Sequence, residues 1–310
     1  MKIPKLISTA NENNWVHVFL VVNPIAASVS RLIKETYKLK ESNILTVSLR
    51  ETDLSVMEFN PMYLNDSLIN KILLKFFGIQ SNTKKILKRI GKDTKFILYA
   101  SWAYNETSQL PSVANLVSLS NCMGHIYIEE GQASYRPSKP FSPSKLNRHK
   151  STHAENLKDV YRDDAQAFIG ILPEAYPEAP REKLYILNNF TELKKFYNPV
   201  LLGIKTIGLT CAERRLEKDN WRNMLQTLIN NMPDGGVIKL HTSFISNQVS
   251  KNKIYSIFND IAPDCISICD DKAIVELEML FEKKILIGSL TSLKKYAKAF
   301  ESEFNNVSLY

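Results

Sequence analysis

Tyr127-Ile128-Glu129-Glu130-Gly131 closes a run of β-forming residues that begins at Ile126. A short apolar run of this kind reads as a strand buried in a sheet. Two carboxylates at its end, followed by glycine, are costly to bury unless something pairs with them or uses them. Such an ending sets a carboxylate at the carboxyl edge of a sheet, where open α/β folds build their sites. Glu129 is thereby a candidate general base, with Glu130 the alternative and Gly131 the turn residue. A solvated strand end or a helix cap is the competing reading of the same five residues.

Upstream, residues 15–22 (WVHVFLVV) read as a strand stopped by Asn23-Pro24. Residues 25–39 have helical spacing and 44–49 form a second strand, so the opening is β-α-β and predicts a parallel sheet. Residues 68–90 read as a helix, basic on one face through Lys71, Lys75, Lys84, Lys85, Lys88 and Arg89. Residues 96–100 are a strand, 116–119 belong to a helical stretch, and the strand ending at Glu129 follows.

Residues 136–153, rich in Pro, Ser and Lys/Arg, are expected to be a loop. The three prolines of PEAYPEAPRE (173–182) read as an interdomain connection. The expected organisation is an acceptor-side α/β domain over 1–175 and a nucleotide-sugar-binding α/β domain over 176–310. In the second, strands are expected at 183–187, 203–209, 237–240, 266–268 and 285–287, with helices at 220–232, 252–261, 272–281 and 293–300.

A chain of 310 residues exceeds one ordinary core. Its 44% hydrophobic and 23% charged residues are those of a globular protein, and no apolar run approaches the ~20 residues of a membrane span. The N-terminal residues lack the apolar core of a secretory signal, so the expected location is cytoplasmic. The four cysteines have no metal-ligand spacing and read as free thiols. His149 and His153 have helical metal spacing, but the surrounding Pro and Ser oppose a helix, so no metal is expected. The net charge of +8 favours anionic partners: nucleotide phosphates, anionic glycans or an anionic membrane. No nucleic-acid-binding motif is present, and nucleic acid is not an expected partner.

Two further strand ends carry chemistry. Lys239 and His241, two apart at the end of 237–240, point to the same side of an ideal strand and make a candidate anion site. A lone histidine there is as readily structural. Gly288-Ser289-Leu290-Thr291-Ser292 leads from a strand into a helix, where hydroxyls and free N–H groups hold phosphate or simply cap the helix. All three motifs lie at carboxyl ends of strands, and two doubly wound domains facing each other would bring them to one cleft.

In this order the motifs resemble those of the bacterial sialyltransferases, including the polysialyltransferase and lipooligosaccharide groups. Those proteins carry an acidic-acidic-Gly motif, a Lys-x-His-Pro motif and a Ser-Ser/Thr motif. The matches are Glu129-Glu130-Gly131, Lys239-Leu240-His241 and Ser289 to Ser292, with Thr242 where proline is expected. The resemblance implies a GT-B-type fold of two Rossmann-like domains facing across a cleft. It further implies an inverting, metal-independent enzyme that uses CMP-sialic acid as donor and needs no cofactor. Glu129 would be the base, His241 would assist the departing phosphate, and Lys239, Ser289, Thr291 and Ser292 would bind the CMP. The acceptor would be a glycan or glycolipid of lipooligosaccharide or capsular type. The basic charge of the chain, apart from the resemblance, also suits a peripheral position on the inner face of the plasma membrane. The tail after Ser292 is short for the closing helix of such proteins. Two alternatives remain: another donor, such as CMP-Kdo or a nucleoside-diphosphate sugar, and a catalytically inactive glycan- or nucleotide-binding protein.

Overall fold

Parallel strands covered on both faces require nearly continuous apolar runs, and the chain supplies them twice. The computed structural model describes residues 3–48, 61–64, 81–100, 113–137, 164–216, 220–245, 247–269, 272–289 and 291–309. Among these, Met1–Phe196 and Tyr197–Tyr310 form two compact units.

The first unit holds β1 (Val16–Val21), β2 (Ile44–Ser48), β3 (Met62–Tyr63), β4 (Phe96–Ala100), β5 (Cys122–Ile128), β6 (Ala167–Gly170) and β7 (Leu184–Ile186). They make one parallel sheet in the order β3-β2-β1-β4-β5-β6-β7. The chain steps outward from β1 to β3, then returns to the other side of β1 at β4. That reversal is the topological switch at which open α/β sheets place ligands. Helices α1 (Lys5–Glu12), α2 (Pro24–Thr36), α3 (Ser81–Ile90) and α4 (Val113–Val117) accompany the sheet. Asn23-Pro24 stops β1 because it starts α2. The Asn23 side chain accepts the Ala26 N–H at 2.9 Å, and Pro24 takes the first helical position.

The second unit holds β8 (Thr206–Leu209), β9 (Gly236–Lys239), β10 (Ile266–Ile268), β11 (Ile285–Gly288) and β12 (Glu303–Asn306), parallel in the order β10-β9-β8-β11-β12. Its helices are α5 (Trp221–Asn230), α6 (Thr242–Ile245), α7 (Gln248–Ile261), α8 (Val275–Phe281) and α9 (Leu293–Ala299). Helix α5 buries Trp221, Met224, Leu225, Leu228 and Ile229, the stripe of an amphipathic helix. Trp221 meets Phe244 edge to face, with ring centroids 5.0 Å apart. Gly236 (φ 140°) brings β9 alongside β8, since a Cβ there would lie 2.4 Å from the Thr206 carbonyl oxygen.

The division falls about twenty residues beyond the expected 175/176 boundary. The prolines of 173–182 lie in a crossover within one sheet rather than in a linker, because Phe168, Ile169 and Gly170 of β6 pair with Leu184, Tyr185 and Ile186 of β7. The following turn is tied back to α2. Asn189 Nδ2 donates to Thr36 Oγ1 at 2.9 Å, and the Arg31 guanidinium stacks 3.9 Å from the Phe196 ring centroid. Strands β3, β6 and β12 and helix α1 have no counterpart in the sequence reading. The tail after α9 supplies an edge strand beside β11. Of the expected 68–90 helix, 68–80 lie outside the described residues, as do Lys71, Lys75, His149, His153 and nearly all of the basic loop.

A polar network crosses the first core. His17 on β1 is buried, with Nδ1 2.9 Å from the Tyr99 hydroxyl and Nε2 3.1 Å from Asn11 Oδ1. Asn11 Nδ2 donates to the Tyr37 carbonyl, which turns its Oδ1 toward the imidazole; His17 is therefore protonated on Nε2 and accepts the tyrosine O–H. Burial lowers its pKa to about 4 from 6.5. A base with a depressed folded pKa gives stability that is complete above the unfolded value and is lost as pH falls from about 6.5 toward 4. Urea titrations at about pH 7 and 4.5 should show wild type losing about 2 kcal/mol more than His17→Gln over that interval. Equal losses in the two proteins would refute the burial account.

Candidate functional site

Glu129 follows β5 directly, and its backbone N–H continues the ladder to the Ile169 carbonyl at 2.9 Å. Its side chain is fully buried. Oε2 accepts the Ile171 N–H at 2.7 Å and the Leu172 N–H at 3.4 Å, and Oε1 accepts the Tyr135 hydroxyl. Gly170 leaves room for this, since a Cβ there would stand 3.1 Å from Oε2 and 2.8 Å from the Ala175 Cβ. The carboxylate thus anchors the turn that leaves β6. Tyr135 is the half-buried donor of the set, while the two N–H groups are held by the fold.

The next residue ties the motif to the switch point. The Glu130 carbonyl accepts Asn23 Nδ2 at 2.7 Å, and its N–H donates to Ser134 Oγ at 3.0 Å. Asn23 therefore caps α2 with its oxygen and holds the acidic motif with its nitrogen. Gly131 takes φ 102° and ψ −131°, backbone that side-chain-bearing residues avoid.

The second unit repeats the anchor. Glu278 on α8 is fully buried; Oε1 accepts the Tyr197 hydroxyl at 2.5 Å and the Val200 N–H at 2.9 Å, and Oε2 the Leu201 N–H at 3.1 Å. One tyrosine hydroxyl and two successive backbone N–H groups on a buried glutamate are therefore a structural device in this chain. Glu129 differs in standing at the carboxyl end of a central strand.

The other motif residues gather along the carboxyl edge of the second sheet. Lys239 of β9, Leu209 of β8 and Gly288 of β11 pair in one row. Beyond that row come Thr210 and Ser289, and then His241. Strands β9 and β11 are two spacings apart, about 10 Å. Between them lies β8, which ends at Leu209 and is followed by Thr210. Gly288 presses on β8, where a Cβ would lie 2.9 Å from the Leu209 Cβ.

His241 caps α6. Its carbonyl accepts the Phe244 N–H at 2.9 Å, and its Nδ1 accepts the Ser243 N–H at 3.1 Å. Because Nδ1 accepts that N–H it carries no proton, so Ser243 Oγ, 2.9 Å away, donates its hydrogen to it while accepting the Glu213 N–H. With Nδ1 an acceptor twice over, neutral His241 carries its proton on Nε2. The ring is exposed. Its backbone is held by Thr210, whose hydroxyl accepts the His241 N–H at 2.7 Å while its own N–H bonds the Lys239 carbonyl at 3.2 Å. Thr242 occupies the first position of α6, where a backbone N–H is unneeded and proline is favoured. Threonine in place of the expected proline therefore leaves the cap geometry of His241 intact.

Ser289 is buried after β11, and Thr291 Oγ1 accepts the Leu293 N–H at 2.9 Å at the head of α9. Ser292 is half-buried beside it. Sequence reasoning missed Glu276, at the start of α8. Burial raises its pKa, opposed by its own N–H and by the charge of Lys239. The signal was available: two glutamates, Glu276 and Glu278, interrupt the otherwise apolar run of 274–281. Thr210, Ser243, Asn23 and Tyr135 were also missed.

No family model matches the chain, and no curated protein matches it. Its fold is similar to that of MnaA from S. aureus, solved with UDP, with a TM-score of 0.56 and 15% identity over 94% of this chain and 79% of that one. It is also similar to UDP-GlcNAc 2-epimerase from Neisseria meningitidis bound to UDP-GlcNAc, with a TM-score of 0.54 and 13% identity over 93% and 81% of the two chains. With two α/β units, each built on a parallel sheet of Rossmann order, the chain has a GT-B-like fold.

Proposed function

We propose that the protein is an inverting, metal-independent sialyltransferase that moves sialic acid from CMP-sialic acid to a hydroxyl of a lipooligosaccharide or capsular-type glycan. The observation that carries this reading is the setting of His241. A histidine capped through Nδ1 presents Nε2–H, the donor a departing phosphate requires, at the same sheet edge as Lys239 and Ser289. The order of the three motifs along the chain supports it further.

In this reading the Glu129 carboxylate takes the proton of the acceptor hydroxyl, which replaces the Tyr135 hydroxyl on Oε1. The acceptor oxygen bonds to the anomeric carbon as the bond from that carbon to the CMP phosphate oxygen breaks, through an oxocarbenium-like state. CMP leaves with both electrons of that bond. Nε2–H of His241 donates to the departing phosphate, and Lys239, Ser289, Thr291 and Ser292 hold it by charge and hydroxyl contacts. Glu276 would accept hydroxyls of the nucleoside.

The UDP and UDP-GlcNAc held by the two proteins of similar fold favour a second reading, a glycosyltransferase for a UDP-sugar. Thermal shift with CMP, UDP and GDP separates the two. The expected result is a rise in melting temperature with CMP larger than with either diphosphate, followed by mass-spectrometric detection of sialylated product from CMP-sialic acid and galactose- or sialic-acid-terminated acceptors. Stabilisation by UDP alone, with no sialylated product, would overturn the sialyl donor and leave the fold assignment standing.

A further inference from the structure

The amino edge of the first sheet lies opposite the edge that carries Glu129, and its charge has no use in the chemistry above. From Lys84 to Lys95 the sequence KKILKRIGKDTK holds six cations and a single carboxylate, Asp93. Lys84, Lys85, Lys88 and Arg89 are exposed on α3, which packs inward through Asn82, Thr83 and Ile86. Lys92 and Lys95 are exposed on the turn that leads into β4. Lys95 Nζ stands 5.9 Å from the Trp15 ring centroid at the start of β1, so the cations follow the edge from one strand to the next. No ion pair holds any of the six among the described residues. Lys84 with Lys88, and Lys85 with Arg89, are like charges four apart, which repel on a helix. Lys88 and Arg89 recover part of that at the helix C-terminus. An anionic partner would relieve the remaining repulsion.

We infer that this face binds the anionic surface of a lipid bilayer and holds the first unit there peripherally. Lipid headgroups fit better than nucleic acid. Single-stranded nucleic acid is gripped by aromatic platforms, and the exposed large apolar residues described in the first unit are Ile3 and Tyr63, neither within 84–95. Ile3 stands exposed just before α1, whose Leu6 packs over Gly124 near the start of β5 and whose Ala10 carbonyl accepts the Trp15 N–H at the start of β1. The same edge therefore adds one apolar side chain to the charge. No helix among the described residues is long and apolar enough to cross a membrane, so this contact is one of surface charge.

The test is co-sedimentation of the full chain with vesicles of phosphatidylcholine alone and of equimolar phosphatidylcholine and phosphatidylglycerol. Binding to the anionic vesicles only is expected at low ionic strength, weakening as salt shortens the screening length. Lys84→Gln/Lys85→Gln/Lys88→Gln/Arg89→Gln keeps helix-forming residues and should weaken binding at least about 100-fold. Lys84→Gln/Lys85→Gln alone should weaken it about tenfold and serves if the fourfold variant unfolds. Lys194→Gln/Lys195→Gln/Lys205→Gln/Lys272→Gln, with the same loss of charge elsewhere, should bind like wild type. Three outcomes overturn the inference: no binding to anionic vesicles at low salt, equal weakening in the two fourfold variants, or tighter binding to single- or double-stranded DNA than to vesicles. None of these measurements involves the sugar donor, so the result is independent of the sialyltransferase reading.

Discussion

Glu129→Gln is expected to lower sialyl transfer by about 10²–10⁴-fold, the usual loss when a general base is removed. The fold should survive the change. Glutamine has the same shape; its oxygen can keep the Ile171 and Leu172 N–H groups, and its NH₂ can donate to the Tyr135 oxygen that now donates to Oε1. Glu129→Ala should behave differently. It leaves two buried N–H groups without their acceptor and opens a hole behind Gly170, at a cost of about 3 kcal/mol or more. Activity and urea unfolding of the two variants therefore separate the chemical role from the anchoring role. If glutamine supports transfer within a few-fold of wild type while alanine unfolds, Glu129 is an anchor like Glu278, and Glu130 becomes the candidate base.

His241→Asn should cost about 10²–10³-fold in transfer with little change in melting temperature. Asparagine is a strong N-cap, so its Oδ1 can accept the Ser243 N–H in place of Nδ1. What it lacks is the far N–H. Ser243→Ala gives the complementary change, keeping Nε2–H while removing one of the two donors on Nδ1, and should cost about tenfold at most. The asparagine variant retaining nearly full transfer would remove His241 from the chemistry and leave it a helix cap.

Much of this arrangement was legible from local pattern. The apolar runs of β1, β4 and β5 are long enough to announce a parallel sheet, and each of the three motifs stands after a strand. Asn23-Pro24 was legible as a stop, although its second bond, to the Glu130 carbonyl 107 residues on, was not. The boundary was misplaced because proline density marks exposed chain wherever it occurs. It cannot distinguish a linker from a crossover between neighbouring strands. Strand β6 is buried at all four of its residues and had no counterpart in the sequence reading.

Side-chain alternation and strand-end chemistry are properties of a few adjacent residues, so the amino-acid order alone determined that Glu129, His241 and Ser289 lie at carboxyl edges of sheets. Which atom of each is engaged is a matter of partners far away along the chain. Glu129 meets Ile171 across 42 residues, and the backbone of His241 meets Thr210 across 31. Only the folded sheets bring those partners within hydrogen-bond reach. The tertiary structure therefore decided that the first carboxylate is an anchored one and that the imidazole presents its Nε2 proton.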